Sequence, residues 1–297
     1  MTTYKKKIIP YPELYIVDFT KTEYKESLIF IHGGPGFNCG ILEYLIEHEN
    51  LFECLNYNII MYDQRECGRS EKNHELVSHQ DNLKDLKNII DYFVNSNIPI
   101  KGLIGHSYGA KLLYDFYLTY PSTLPGIFVG IADSMLTPRL NNLLSDLTYL
   151  RKNDPDRYQD ILPRLNKLTL EKLWMITEEL APVFESNKDR PFNYFANLEL
   201  MQKVQEISKV INIPINKEVL MSVRKDIYAS KELCKVEIAN LKNDYLWING
   251  FHDSTMNSTN SFLKNQNIIL FYQSAHYPHI EESRLFCETV NEFLKRL

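Results

Sequence analysis

The chain is poor in the features that would mark a secreted, metal-held or nucleic-acid-binding protein. Its five cysteines (Cys39, Cys54, Cys67, Cys234 and Cys287) are scattered through 297 residues, with no C-x-x-C pair. That spacing argues against a disulfide framework and against a thiolate zinc site, and reduced thiols suit a cytoplasmic setting. No run approaches the roughly 18 apolar residues that a bilayer-spanning helix needs. No apolar segment follows Met1, so neither a membrane nor a secretory signal is expected. Lys and Arg number 33 against 38 Asp and Glu, a net charge of −5, and no basic patch stands out, so nucleic acid is not an expected partner. The short run Lys5-Lys6-Lys7 reads as a solvated tail. Internal repeats and low-complexity tracts are also lacking. What remains is an ordinary globular composition, 44% hydrophobic, ample for a sizeable core.

Within that composition one stretch carries most of the information. An aliphatic run, Ile98 to Ile104, leads into Gly105-His106-Ser107-Tyr108-Gly109, and a helical run, Ala110 to Tyr120, follows and stops at Pro121. Strand, G-x-S-x-G and helix in direct succession form a nucleophile elbow, which holds a serine on a sharp turn above a sheet. Gly105 and Gly109 flank it because a Cβ at either place would crowd the neighbouring strand and helix.

A serine hydroxyl is a weak nucleophile and needs a base, a carboxylate to orient that base, and N–H donors for the oxyanion. Ser27 to Ile31 reads as a buried strand running into His32-Gly33-Gly34-Pro35-Gly36. This glycine-rich loop can approach a ligand closely. The expected oxyanion donors are the N–H groups of Gly34 and of Tyr108, the residue after the serine. The carboxylate is expected at Asp253, just past the strand Tyr245 to Asn249, with Asp133, after Ile127 to Ala132, as the alternative. The base is expected at His276, soon after the strand Ile268 to Phe271, in competition with His279, which suits a rim or helix-capping position better. The remaining histidines, His48, His74, His79, His106 and His252, read as surface or satisfied polar positions. Neither metal nor organic cofactor is required.

The rest of the chain alternates strands and helices, as a parallel sheet covered on both faces demands. Leu14 to Phe19 reads as an early edge strand, Ile41 to Leu55 as a helix and Tyr57 to Tyr62 as a strand. Asn82 to Val94 places Leu83, Leu86, Ile90 and Phe93 on one helical face. Beyond Ala132 the strand signal disappears until Tyr245. The expected organisation is an α/β core in two parts, 1–134 and 241–297, with an all-helical cap, 135–240, between them. Junctions are expected near Thr137-Pro138 and Asn240–Asn243, and a last helix spans Glu281 to Leu297.

H-G-G-P-G at 32–36, D-Q-R-x-x-G-x-S at 63–70, G-H-S-Y-G at 105–109, G-F-H-D at 250–253 and A-H-Y-P-H at 275–279 occur in one order. Together they resemble the proline iminopeptidase branch of the α/β-hydrolases, over about two thirds of the chain. The resemblance implies the α/β-hydrolase fold and a serine aminopeptidase that releases a small N-terminal residue from a short peptide. It also implies a cap carboxylate for the substrate ammonium, for which Glu199 is the first candidate, followed by Glu178 and Glu179. Phe37, Tyr108 and Trp174 are candidates for an apolar pocket. The chain departs from the family pattern at Glu66, where D-Q-R-G is usual, at Tyr108, where tryptophan is frequent, and at Ser254, where some members carry a glutamate. In the D-Q-R segment, Asp63 and Arg65 are expected to pair and brace the loop. A carboxylesterase or lactonase using the same residues, or a non-catalytic binding protein on the same scaffold, are the other expectations.

Overall fold

The computed structural model describes residues 4–187, 190–229, 231–255 and 267–297. Eight strands form a single sheet: β1 (Lys5–Ile9), β2 (Ile16–Thr20), β3 (Ser27–Ile31), β4 (Asn58–Tyr62), β5 (Ile100–His106), β6 (Gly126–Val129), β7 (Tyr245–Gly250) and β8 (Ile268–Phe271). Their spatial order is β1-β2-β4-β3-β5-β6-β7-β8. β1 and β2 run antiparallel to their neighbours, and every pairing from β4 to β8 is parallel. The central strands β3, β4 and β6 are buried along their whole length. Continuous apolar runs such as Leu28-Ile29-Phe30-Ile31 are what a strand covered on both faces requires.

Alternate residues of β3 serve opposite faces. Ile29 and Ile31 join α2 (His79–Asn95) and α3 (Tyr108–Thr119) in one cluster, while Leu28 and Phe30 join α1 (Gly40–Glu49) and α12 (Ser283–Lys295) in the other. α2 begins at Ser78, whose hydroxyl accepts from the Asp81 N–H while the Asp81 carboxylate accepts from the Ser78 N–H. Such a capping box is worth about 1 kcal/mol.

Two expectations at the N-terminus need correction. Leu14 to Phe19 is not the edge, because β1 pairs outside it. Lys5, Lys6 and Lys7 are not a tail but the body of β1. Lys6 binds Glu43 at 2.5 Å and Glu47 at 3.1 Å. Charged lysines on an outermost strand are compatible with pairing on one side and water on the other.

Between β6 and β7 the described residues contain helices and no named strand: α4 (Leu136–Asn153), α5 (Pro155–Ile161), α6 (Leu170–Glu179), α7 (Ala181–Ser186), α8 (Leu198–Ile211), α9 (Lys217–Ile227) and α10 (Lys231–Cys234), with short 3-10 turns. The two ends of this segment meet. Val236 N–H donates to Asp133 O at 2.8 Å, Met135 N–H donates to Cys234 O at 2.8 Å, and Ser134 bridges to Lys235. Leu143, Leu147, Leu150, Ile161, Leu173, Ile176, Leu180 and Val183 form a cluster of their own, separate from the two on the sheet. α8 and α9 behave differently: Ile207 joins one sheet cluster, and Val219, Val223 and Ile227 the other. At the C-terminus a short helix, α11 (Pro278–Glu281), precedes α12, so the expected last helix is interrupted at Glu282. No described helix is long and apolar enough to cross a membrane.

Candidate active site

Ser107 is the turn between β5 and α3, with φ 54° and ψ −117°. This is strained backbone for a residue with a Cβ. Its N–H donates to Val129 O at 2.8 Å, which ties the turn to the end of β6. The flanking glycines leave no space: a Cβ on Gly105 would stand 2.5 Å from Gly109 O, and one on Gly109 would stand 2.2 Å from Ile31 O. The crowding expected from the sequence is therefore present on both sides.

The glycine-rich loop lies against the serine. A Cβ built on Gly33 would be 3.1 Å from Ser107 Cβ. Gly34 has φ 128°, in the region that glycine alone enters at little cost. Tyr108 opens α3, so its N–H is one of the helix-terminal amides that have no intrahelical acceptor. Phe37 follows the loop and is 37% exposed, beside Gly34.

Asp253 and His276 are brought together from the ends of β7 and β8. His276 Nδ1 lies 2.8 Å from Asp253 Oδ2, with both side chains buried. The second oxygen of Asp253 accepts from the Thr255 N–H at 3.0 Å and the Thr255 hydroxyl at 2.6 Å. An ionised carboxylate accepts only, so His276 donates Nδ1–H and keeps Nε2 as its acceptor nitrogen. Asp133 makes no such pair with His276; its backbone instead closes the base of the helical segment. His279 does not reach the rim. It is buried between Phe30 and Phe286, and burial, with His276 nearby, pushes its pKa down to about 3.

The link between Ser107 and His276 runs through a residue to which the sequence assigned no special part. His106 sits directly before the serine, and its Nε2 lies 2.9 Å from the backbone carbonyl of His276. Burial, with His279 and His276 nearby, holds the His106 pKa well below its ordinary value, so the ring is neutral and Nε2 carries the donated proton. The His106 and His276 ring centroids are 4.9 Å apart. Gly130 completes the seat, because a Cβ there would stand 2.9 Å from His276 O.

The helical segment touches this region through Tyr194 and Phe195. Tyr194 O accepts from the His276 N–H at 3.0 Å, its ring lies 5.5 Å from the His276 ring, and Phe195 stacks on Tyr277 at 4.6 Å. The aromatic run at 192–195 was the available sequence signal. Ser254 donates from its hydroxyl to Asn193 O at 3.1 Å and so fastens the same segment.

Comparison with known proteins places this fold. A model of the α/β-hydrolase fold matches residues 26–174, half of the chain. The chain belongs to the α/β-hydrolase fold family. A proline iminopeptidase of Saccharolobus solfataricus is 26% identical over 288 residues, covering 91% of this chain and 85% of that protein. Among solved structures, a proline iminopeptidase-related protein from Thermus thermophilus superposes with a TM-score of 0.63 at 17% identity, covering 98% of this chain and 97% of that one. An esterase from Exiguobacterium antarcticum gives 0.61 at 17% identity, covering 99% and 100%. The fold is thus shared by a proline iminopeptidase-related protein and an esterase.

Several expectations of a hydrolase pocket need correction. The Tyr108 side chain is fully buried away from any cleft, where His79 Nδ1 lies 3.1 Å from its hydroxyl and Asn82 donates to it at 2.9 Å. It packs α2 against α3 and lines nothing. Asp63 and Arg65 do not pair. Arg65 forks onto Asp85 at 2.8 and 2.6 Å, while Asp63 takes Arg69 at 3.0 Å and the Cys39 N–H at 2.8 Å. The bracing role stands, with different partners. Glu66 has φ 59°, a conformation that glycine adopts at less cost. Its carboxylate holds the Asn73 and His74 N–H groups. Glu199 stands exposed in the first turn of α8 and is not brought into the cluster around His276. Glu179 is exposed and pairs with Arg164. Glu178 is partly buried but pairs with Arg139 at 3.0 Å. Trp174 lies under the Arg139 guanidinium, 4.3 Å from its ring centre.

Proposed function

We propose that this chain is a serine hydrolase acting through an acyl-enzyme, with Ser107 as nucleophile, His276 as base and Asp253 as its orienting carboxylate. The observation that carries this reading is the buried 2.8 Å contact between His276 Nδ1 and Asp253 Oδ2, beside a serine held at φ 54°. With Nδ1–H committed to Asp253, Nε2 takes the Ser107 proton as Oγ attacks the substrate carbonyl. The Gly34 and Tyr108 N–H groups stabilise the oxyanion, each worth on the order of 10²–10³ in rate. His276 then protonates the leaving group, and water, activated by the same nitrogen, releases the acid and restores Ser107. In this reading residues 135–240 are a cap over the site, and the protein works on a small molecule or short peptide.

Two substrate classes are supported by different observations. Similarity to the Saccharolobus enzyme over 91% of the chain supports an aminopeptidase of proline iminopeptidase type. The local charges support an ester instead. A desolvated ammonium needs a carboxylate partner, yet Glu199 is exposed and Glu178 is already paired with Arg139. A fluorophosphonate probe tests the shared chemistry. It is expected to label the native protein at Ser107 and not the Ser107→Ala variant. Labelling that is absent, or unchanged by the substitution, overturns the reading. Turnover of prolyl arylamide against a neutral ester of equal size then assigns the class.

A further inference from the structure

We infer that the helical segment carries a recognition site for a carboxylate on the substrate, built from Arg224 and Arg139. The inference rests on the serine-hydrolase reading and names the substrate class for it.

Arg139 lies in the first turn of α4, the helix that leaves the end of β6 next to the Ser107 strand. Only 8% of its side chain is exposed. Its guanidinium lies against two adjoining aromatic rings, 4.3 Å from the Trp174 centroid and 5.0 Å from that of Tyr228. One nitrogen, Nη2, is spent on Glu178 and Thr177. The Nε is buried with no hydrogen-bond partner among the described residues. Arg224 lies one turn before Tyr228, so the two share a face of α9. Tyr228 in turn donates its hydroxyl to Met135 O at 2.9 Å, at the root of α4. The Arg224 side chain is partly buried and, among the described residues, forms no hydrogen bond or ion pair. Burial, with Arg139 nearby, depresses its pKa against the opposing pull of Tyr228, Tyr194 and Glu178.

Two guanidinium groups withdrawn from water beside a single carboxylate are costly. Glu178 balances one of the two arginines, so the trio Arg139, Arg224 and Glu178 carries a net charge of +1. A carboxylate matches that balance, whereas a substrate ammonium would add to it. The site is also linked to the chemistry. Asn142, three residues beyond Arg139 on α4, donates to the Tyr194 hydroxyl at 3.1 Å, and the Tyr194 ring meets that of His276 at 5.5 Å. Planar guanidinium groups bind carboxylates through paired N–H donors, and the Trp174 and Tyr228 rings suit the apolar chain that carries one.

The test is the ratio of kcat/KM for matched 4-nitrophenyl esters. One arm places a carboxylate on the acyl chain (hemiglutarate against pentanoate), and the other places it on the leaving group (a ring carboxylate on the butyrate ester). Prolyl 4-nitroanilide supplies the ammonium. The native protein is expected to favour the carboxylate in at least one arm by about 10- to 100-fold, as a charge-assisted contact implies. Arg224→Met is expected to erase most of that ratio through KM, and Arg224→Lys to keep part of it. Equal rates in both arms, a ratio unmoved by Arg224→Met, or preference for the prolyl substrate overturns the inference. If no ester turns over and Ser107 takes no fluorophosphonate, the catalytic reading has failed. Calorimetry with glutarate then still decides the anion site: binding lost in Arg224→Met supports it, and no binding to the native protein refutes it.

Discussion

At the scale of single residues, the turn at Ser107 is set by what its neighbours lack. Gly109 has no room for a methyl group because the obstacle, Ile31 O at 2.2 Å from the built Cβ, is strand backbone. Side chains can rotate away, but a carbonyl in a parallel ladder cannot. Gly109→Ala should therefore destabilise the protein by about 1–3 kcal/mol, read as a lower urea midpoint with an unchanged slope. A midpoint within error of the native value would show that α3 yields more easily than the geometry implies. Asp253 has a different duty. Asp253→Asn is nearly isosteric, so the fold should persist, but an amide can donate where the carboxylate only accepts. His276 would then no longer be held as the Nδ1–H form. The expected cost is on the order of 10³–10⁴ in kcat, with circular dichroism unaltered. A loss below tenfold would remove Asp253 from the proposed triad.

Among elements, the loop from Asp63 to Ser70 shows how a buried charge braces the chain just past the glycine-rich loop. The Asp63 carboxylate is fully buried and is met by Arg69 and by the N–H groups of Cys39 and Arg69. Burial alone would raise its pKa, but the Arg69 bonds overcome this and hold it below the ordinary range. The depressed folded value means that this stabilisation is complete above the unfolded carboxylate pKa. It is lost as pH falls through the folded value. Arg69→Met should cost about 3–5 kcal/mol at neutral pH, since it strands a buried charge, and less in acid where Asp63 protonates. Equal losses at pH 7 and pH 3 would show that Arg69 acts by packing instead.

The same loop marks what was legible in the sequence. The strands from β3 to β8 could be read because buried parallel strands are aliphatic runs ended by glycine or polar residues. The motifs at their ends located Ser107, Asp253 and His276. Choosing Arg69 over Arg65 as the partner of Asp63 depends on which way a side chain leaves a tight turn, and spacing does not encode that. β1 is hidden in the sequence because Lys5-Lys6-Lys7 looks like a tail until β2 and Glu43 are in place to receive it. Glu199 suits the amine-binding role by its place in the chain, but it stands on the exposed side of the first turn of α8. His106 reads as an ordinary polar histidine because its contact, the His276 carbonyl, is 170 residues away.

Taken whole, the molecule is divided by its packing. Two apolar clusters sandwich the sheet, and α8 and α9 are stitched into them through Ile207, Val219, Val223 and Ile227. α4 to α7 instead enclose a small cluster of eight buried side chains. A core of that size offsets far less chain entropy than the sheet clusters do, so it should open at lower free energy than the sheet. Hydrogen exchange read by mass spectrometry is expected to show amides of residues 143–183 exchanging before those of β3 to β7, with 217–227 following the sheet. Leu150→Ala, at a position only 1% exposed, should widen that gap. It should accelerate exchange across α4 to α7 and leave β3 to β7 nearly unchanged, because the cavity it creates lies in the smaller cluster alone. Uniform acceleration through the whole chain would mean that the helical segment and the sheet unfold as one cooperative unit. The ring contact between Tyr194 and His276 would then be part of that unit rather than of a separately moving cover.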